Sequence, residues 1–247
     1  MRYLILSDIH ANQTALEAAL AAMQGRWDKA VCLGDVVGYG PDPNEVIDRV
    51  RGLVAACIRG NHDKASCGLD SAEDFNPVAR RAALWTREQL TAENLAYLQN
   101  LPQGPVEVDG ITLMHGAWED EDEYVFSPAQ ALDGLLGPPT MVSFFGHTHF
   151  QGGFSFVDNT LEVIQLRPAE GTSFAAMQVN SKTRYLLNPG SVGQPRDGDP
   201  RAAFALADLE HNVVEFWRVP YNIEAVQSRM SEAGLPEPLV MRLAYGR

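Results

Sequence analysis

Apolar and polar positions follow two rhythms along this chain, and the first sixty residues run through one of them twice. Residues 2–7 (Arg-Tyr-Leu-Ile-Leu-Ser) form a short apolar run of the length of a buried strand. Asn12 then stands where a helix N-cap belongs, ahead of Leu16, Ala19, Leu20 and Met23 at helical spacing. Ala30 to Leu33 form a second run, followed by a Gly- and Pro-rich turn and a helical stripe of Val46, Ile47, Val50 and Val54. Val54 to Ile58 form a third. Strand, helix, strand, helix, strand predicts right-handed crossovers and a parallel sheet.

Asp8, Asp35 and Asn61 recur at nearly equal intervals, each about the length of one βαβ unit, so each lies just past the end of a predicted strand. Ile111 to Met114 runs directly into His115, and Met141 to Phe145 into Gly146-His147. Five strand ends therefore deliver polar residues to one sheet edge, the place where open α/β sheets bind ligands. Residues 77–100 read as one or two helices carrying Leu84, Trp85, Leu90, Leu95 and Leu98. From about residue 150 the texture becomes a two-residue alternation, with hairpin signals at Asp158-Asn159, Asn180-Ser-Lys182 and Glu210-His-Asn212. Ile223 to Ala233 closes as a helix. The expected fold is α/β: a four-layer αββα sandwich of two mixed β-sheets flanked by helices, in a single domain spanning residues 1–247.

Composition narrows the function. At 247 residues and 45% apolar content the chain can bury a large core, and it has no run long enough to cross a membrane. The N-terminal run reads as a strand rather than a signal peptide. Cys32, Cys57 and Cys67 lack metal or redox spacing, which suits a reducing cytoplasm. A net charge of −13 argues against a large nucleic-acid interface, which needs Lys and Arg to neutralise phosphates. Oligomeric state is not encoded in these features.

The candidate chemistry lies in the histidines. Five of the six occur in Asp8-Ile9-His10, Gly60-Asn61-His62-Asp63, His115-Gly116 and Gly146-His147-Thr148-His149, with Gly34-Asp35 between them. Imidazole, carboxylate and amide oxygen together suit zinc, manganese, iron or nickel rather than calcium. Taken singly, Asp8 or Asp35 would more often be a turn or helix cap and His115 a core histidine; their convergence on one edge reverses those odds. His211, in a predicted turn, reads as a solvated surface residue.

These motifs, in this order, resemble the calcineurin-like metallophosphoesterases, and the segment Asn188-Pro-Gly-Ser-Val-Gly-Gln-Pro-Arg196 is similar to a bacterial and archaeal branch described as phosphodiesterases. The resemblance implies two divalent metal ions: Asp8, His10 and His149 would hold one, Asn61, His115 and His147 the other, and Asp35 would bridge them. A hydroxide shared by the metals would attack phosphorus, since bound water is acidified toward neutrality. His62 would protonate the leaving oxygen, with Asp63 as its orienting partner. Arg59 matches a phosphate-contacting arginine of the protein-phosphatase branch, with a surface salt bridge as the equal alternative. Asn12 would bind a phosphate oxygen or cap its helix. Gly190, Ser191, Gly193 and Arg196 would close over the substrate or form a tight turn.

Gly38-Tyr39-Gly40 stands where the protein-phosphatase and dinucleoside-polyphosphatase branches carry an arginine. A small soluble phosphate diester is therefore the expected substrate, ahead of a monoester or a phosphoprotein. The acidic run Glu119 to Glu123 reads as a solvated loop or as part of the cleft rim. Two rival readings are a partner-binding protein on the same fold, opposed by the intact His62, and an amide or lactone hydrolase, opposed by the absence of a His-x-His-x-Asp-His run.

Overall fold

A computed structural model describes residues 1–166, 168–169 and 171–247. The opening runs form β1 (Arg2–Leu6), α1 (Gln13–Ala22), β2 (Lys29–Cys32), α2 (Pro43–Leu53) and β3 (Ala56–Cys57). β3 is shorter than its apolar run because Val54 ends α2 as its C-cap. Next come α3 (Asn61–Cys67), α4 (Pro77–Gln89), α5 (Ala92–Gln99), β4 (Val106–Val108), β5 (Ile111–Leu113), α6 (Pro128–Leu136) and β6 (Val142–Phe144). The remainder is β7 (Gly152–Val157), β8 (Thr160–Ile164), β9 (Phe174–Gln178), β10 (Arg184–Asn188), β11 (Ala202–Asp208), β12 (Val213–Val219), α7 (Ile223–Glu232) and α8 (Glu237–Arg242), closed by a 3-10 turn at Leu243–Tyr245.

The strands make two six-stranded sheets, ordered β3-β2-β1-β11-β12-β9 and β4-β5-β6-β10-β7-β8. β1, β2 and β3 are parallel, and β11 joins β1 antiparallel. In the second sheet β5, β6 and β10 are parallel. The four-layer expectation holds. Tyr3, Ile5, Val31 and Leu33 face Leu113, Phe144 and Leu187 between the sheets, while Leu4, Leu6 and Cys32 pack outward on Leu16, Leu20 and Ile47 of the helices. Burial on both faces is why β1 reads as a continuous apolar run rather than an alternation. Ala131 and Leu135 of α6 cover the other sheet through Phe154 and Leu186.

The hairpins at Asp158-Asn159 and Glu210-His-Asn212 form as expected, joining β7 to β8 and β11 to β12. Asn180-Ser-Lys182 does not make a hairpin: β9 pairs with β12 in one sheet and β10 with β6 and β7 in the other. That turn carries the chain across the sandwich. Alternation fixes which side of a strand is apolar, and a buried partner sheet satisfies it as well as a sequence neighbour does.

Candidate metal centre

Each predicted strand end does deliver its residue to one edge. Asp8 follows β1, Asp35 follows β2, Asn61 opens α3 after β3, His115 follows β5 and His147 follows β6. The loops are stitched together by main-chain bonds: Asp8 N to Gly34 O at 3.1 Å, His10 N to Asp35 O at 3.0 Å, Gly146 N to His115 O at 2.8 Å and Gly193 N to Asp8 O at 3.0 Å. Asp8, His10, Asp35, His147 and His149 all have positive φ, between 50° and 64°. Such backbone costs free energy outside glycine and tends to concentrate where function requires it.

The side chains form two groups able to hold an ion, Asp8, His10, Asp35 and His149 in one, Asp35, His115 and His147 in the other. His10 Nε2 is 3.6 Å from Asp35 Oδ2, and His115 Nε2 is 3.6 Å from Asp35 Oδ1. His149 Nε2 is 3.2 Å from Asp8 Oδ1. Asn61 Oδ1 joins the second group, 3.3 Å from His115 Nε2. Asp35 thus reaches both.

Four imidazoles are aimed by the same device. His10, His115 and His149 each place Nδ1 against a main-chain oxygen, of Val37, Leu33 and Gln194, at 3.1, 2.8 and 2.6 Å. His147 places Nε2 3.0 Å from Asp122 O. A carbonyl only accepts, so each of these nitrogens carries the hydrogen and the other ring nitrogen keeps its lone pair. His10 Nε2 and His149 Nε2 are only 3.0 Å apart, so two lone pairs face one another, and Asp35 Oδ2 is buried with no hydrogen-bond donor. Donors without protons and an orphaned carboxylate oxygen fit a divalent cation.

Electrostatics agree. Burial pushes the Asp8 carboxyl up, but His149, His115 and His10 pull harder and it lies below the usual carboxylate range. Asp35 lies well above that range, through burial first and the Asp8 and Asp63 carboxylates next. Burial lowers His10, His147 and His149. A dication among these groups would favour ionised carboxylate and neutral imidazole together.

The other expected residues sit around this core. His62 is buried, its Nδ1 has no hydrogen-bond partner, and its ring packs on Tyr39 and Phe75 with centroids 4.2 and 4.8 Å away. Gly38 makes room for it: with φ of +87°, a Cβ there would meet His62 Nδ1 at 2.6 Å. Asp63 makes no hydrogen bond to that ring. Neighbouring helix positions point in different directions, and Asp63 instead accepts from Gly60 N at 3.0 Å and Val37 N at 3.1 Å, closing a capping box on α3. Arg59 adopts its salt-bridge alternative, with Glu121 at 2.8 Å and Gln103 at 2.9 Å occupying the guanidinium. Asn12 caps α1 through Ala15 N and donates to Gly193 O, each at 3.0 Å. Ser191 and Gly193 lie beneath the Asp8 loop, Ser191 Oγ donating to Asp8 O at 2.7 Å. His211 is solvated, as expected.

A cavity of 270 Å³ opens beside the cluster, lined by Asn61, His62, His147, Tyr39, Phe75 and Tyr124 together with the carboxylates of Asp70, Asp74 and Asp122. Tyr124 stacks on His147 at 3.8 Å and 12°. Phe75 carried no sequence signal, because only the packing of the α3–α4 connection against α3 brings it to His62.

Residues 1–212 match the model of the calcineurin-like phosphoesterase superfamily domain. The chain belongs to that superfamily. This phosphoesterase is 33% identical over 247 residues to an uncharacterized protein of Methanocaldococcus jannaschii, covering 98% of its own length and 97% of the relative's. The crystal structure of a metallophosphoesterase from Sphaerobacter thermophilus is similar throughout, at 42% identity and a TM-score of 0.83, covering 100% of this chain and 99% of that one. A hypothetical protein from Pyrococcus horikoshii OT3 shares the fold at 22% identity and a TM-score of 0.79, with 100% and 98% covered. Among the described residues no helix is long and apolar enough to cross a membrane.

Proposed function

We propose that this phosphoesterase is a phosphodiesterase acting on a small soluble ester with two divalent ions, one held by Asp8, His10 and His149, the other by Asn61, His115 and His147, with Asp35 between them. The observation that carries the reading is the position of Asp35: one buried carboxylate within 3.6 Å of an imidazole in each group, with an oxygen that lacks a donor. When bound, the ions acidify water and neutralise phosphate charge.

The chain's own residues supply the rest. His62 lies between the cluster and the cavity and delivers the proton to the departing alkoxide. Burial and the Arg196 guanidinium hold its pKa well below the ordinary histidine value, so its proton is best retained when an anionic phosphate arrives beside it. Tyr39 and Phe75 hold the ring and exclude water from it. The Asp70 and Asp74 carboxylates lining the cavity disfavour a dianionic monoester more than a monoanionic diester, which supports the diester. The Gly38-Tyr39-Gly40 turn weighs against a phosphoprotein.

The test is hydrolysis of bis-p-nitrophenyl phosphate with added manganese, by wild type and by His62→Ala. Turnover of the diester, preferred over p-nitrophenyl phosphate and lost in the variant, is expected. No turnover of either ester across manganese, zinc, iron and nickel overturns the reading.

A further inference from the structure

An aromatic ladder leads away from the metal centre and ends in a second cavity. Tyr124 stacks on the His147 ring, and Phe126 stacks on Tyr124 with centroids 5.4 Å apart and planes 17° apart. Phe150 then meets Phe126 edge to face at 5.7 Å. Buried aromatic stacks need no special account, but these rings are 41%, 58% and 43% exposed. Beyond them lies a groove of 220 Å³, walled by Phe126, Phe150, Phe145, Phe154 and Val163, with the Gln165 amide at its edge.

The groove adjoins the site through the chain and through the Tyr124–Phe126 stack. Phe150 directly follows His149, and Tyr124, two residues before Phe126, lines the cavity beside Asn61 and His62. The lining offers ring faces and edges together with two amides, of which Gln151 is spent on Arg218 and main-chain oxygens and Gln165 is exposed and able to donate and accept hydrogen bonds, the set that recognises a planar heterocycle. Among the described residues lining the groove there is no Lys or Arg to hold a phosphate.

We infer that the Phe126–Phe150 groove is a substrate subsite for a planar aromatic group, a nucleobase or a plain aryl ring, carried by an ester whose phosphate sits at the Asp8–Asp35–His147 cluster. The inference rests on the phosphodiesterase reading and names the substrate class for it. Stacking on exposed rings is worth about ten-fold in affinity per base and tolerates many ring types.

The experiment compares kcat/KM for three diesters with manganese: the methyl ester of adenosine 5′-monophosphate, phenyl methyl phosphate and glycerophosphoethanolamine. Wild type, Phe126→Ala, Phe150→Ala and Phe126→Tyr are assayed. Expected is a wild-type preference for an aromatic ester over the glycerol ester that falls about ten-fold in either alanine variant and is kept in Phe126→Tyr. Loss of the adenosine preference alone assigns the groove to nucleobases, and loss of both assigns it to aryl rings generally. Saturation-transfer NMR with adenosine 5′-monophosphate and phenyl phosphate reads binding without turnover, so it decides the subsite even if no diester is hydrolysed. Unchanged preferences and unchanged transfer to the ring protons in the alanine variants overturn the inference. So does a size-exclusion shift from dimer to monomer in Phe126→Ala with the preferences intact, which would give the face to a second copy of the chain.

Discussion

The Nε2 of His147 lies 3.0 Å from the main-chain oxygen of Asp122, and this one bond fixes which nitrogen of the ring faces the cluster. Asp122 is held in turn by Lys64, whose ammonium is 2.6 Å from Asp122 Oδ2 and 2.9 Å from the buried Glu121 Oε1, an oxygen that also accepts from Arg59 at 2.8 Å. The acidic run is therefore tied down, not solvated throughout. Burial works against the Lys64 charge, but its bonds to Asp122 and Glu121 outweigh it and raise its pKa.

Lys64→Met should free this loop and let the His147 ring turn. Partners of this kind typically govern about 10–100-fold in metal affinity, so manganese should bind at least ten-fold more weakly, with Lys64→Arg recovering most of the loss. Calorimetric titration of the metal checks it. Equal affinity in Lys64→Met and wild type would leave the loop without this role.

Much of this site is written in the order of residues along the chain. A polar residue directly after an apolar run must emerge at the strand's carboxyl end, so Asp8, Asp35, Asn61, His115 and His147 could be placed on one edge before any coordinates. What surrounds them could not. Tyr124 on His147 and Phe75 on His62 are contacts between distant segments with no period to announce them. The seven-residue α3 stayed hidden because Asn-His-Asp-Lys offers no apolar stripe. By contrast α6 has a readable start, Ser127 with Gln130 in a capping box.

Gly38→Ala tests the space under His62. The added methyl would fall 2.6 Å from His62 Nδ1 at a backbone angle that non-glycine residues rarely adopt. Displacing a proton donor by about 1 Å can cost on the order of 10²-fold, so kcat on bis-p-nitrophenyl phosphate should fall about a hundred-fold while bound metal per chain stays constant. Metal analysis beside the kinetics separates this from collapse of the cluster.

Stability should depend on pH in the metal-free protein. Burial is the largest influence on His10, His62, His147 and His149, and it holds all four below the ordinary histidine pKa. An unfolded chain then binds more protons than the folded one below about pH 6.5, so stability is lost as pH falls. Asp63, pushed up to about 6 by burial against its main-chain donors, and Asp35 work in the opposite sense but are fewer. After chelation, the melting temperature should drop between pH 7.5 and 5.5, with a shallower slope in His62→Gln.

Behind the His149 loop lies a buried ion pair with the largest expected effect on stability. Arg218 and Asp197 are both about 1% exposed, and their side chains are in direct contact. Arg218 Nε also donates to Gln151 Oε1 at 3.0 Å, and Gln151 Nε2 donates to the main-chain oxygens of Pro189 and Trp217. Gln151 N donates to Asp197 Oδ2 at 3.2 Å, so the pair anchors the residues just beyond His149. Arg218→Met leaves a carboxylate in the interior without its cation, which typically costs about 3–5 kcal/mol. Removing the charge as well, in Arg218→Met with Asp197→Asn, should restore part of that, because an amide is less costly to bury than a carboxylate. Urea unfolding of the three proteins gives the comparison. A double variant no more stable than Arg218→Met would mean that the loss comes from the Gln151 contacts rather than from the uncompensated charge.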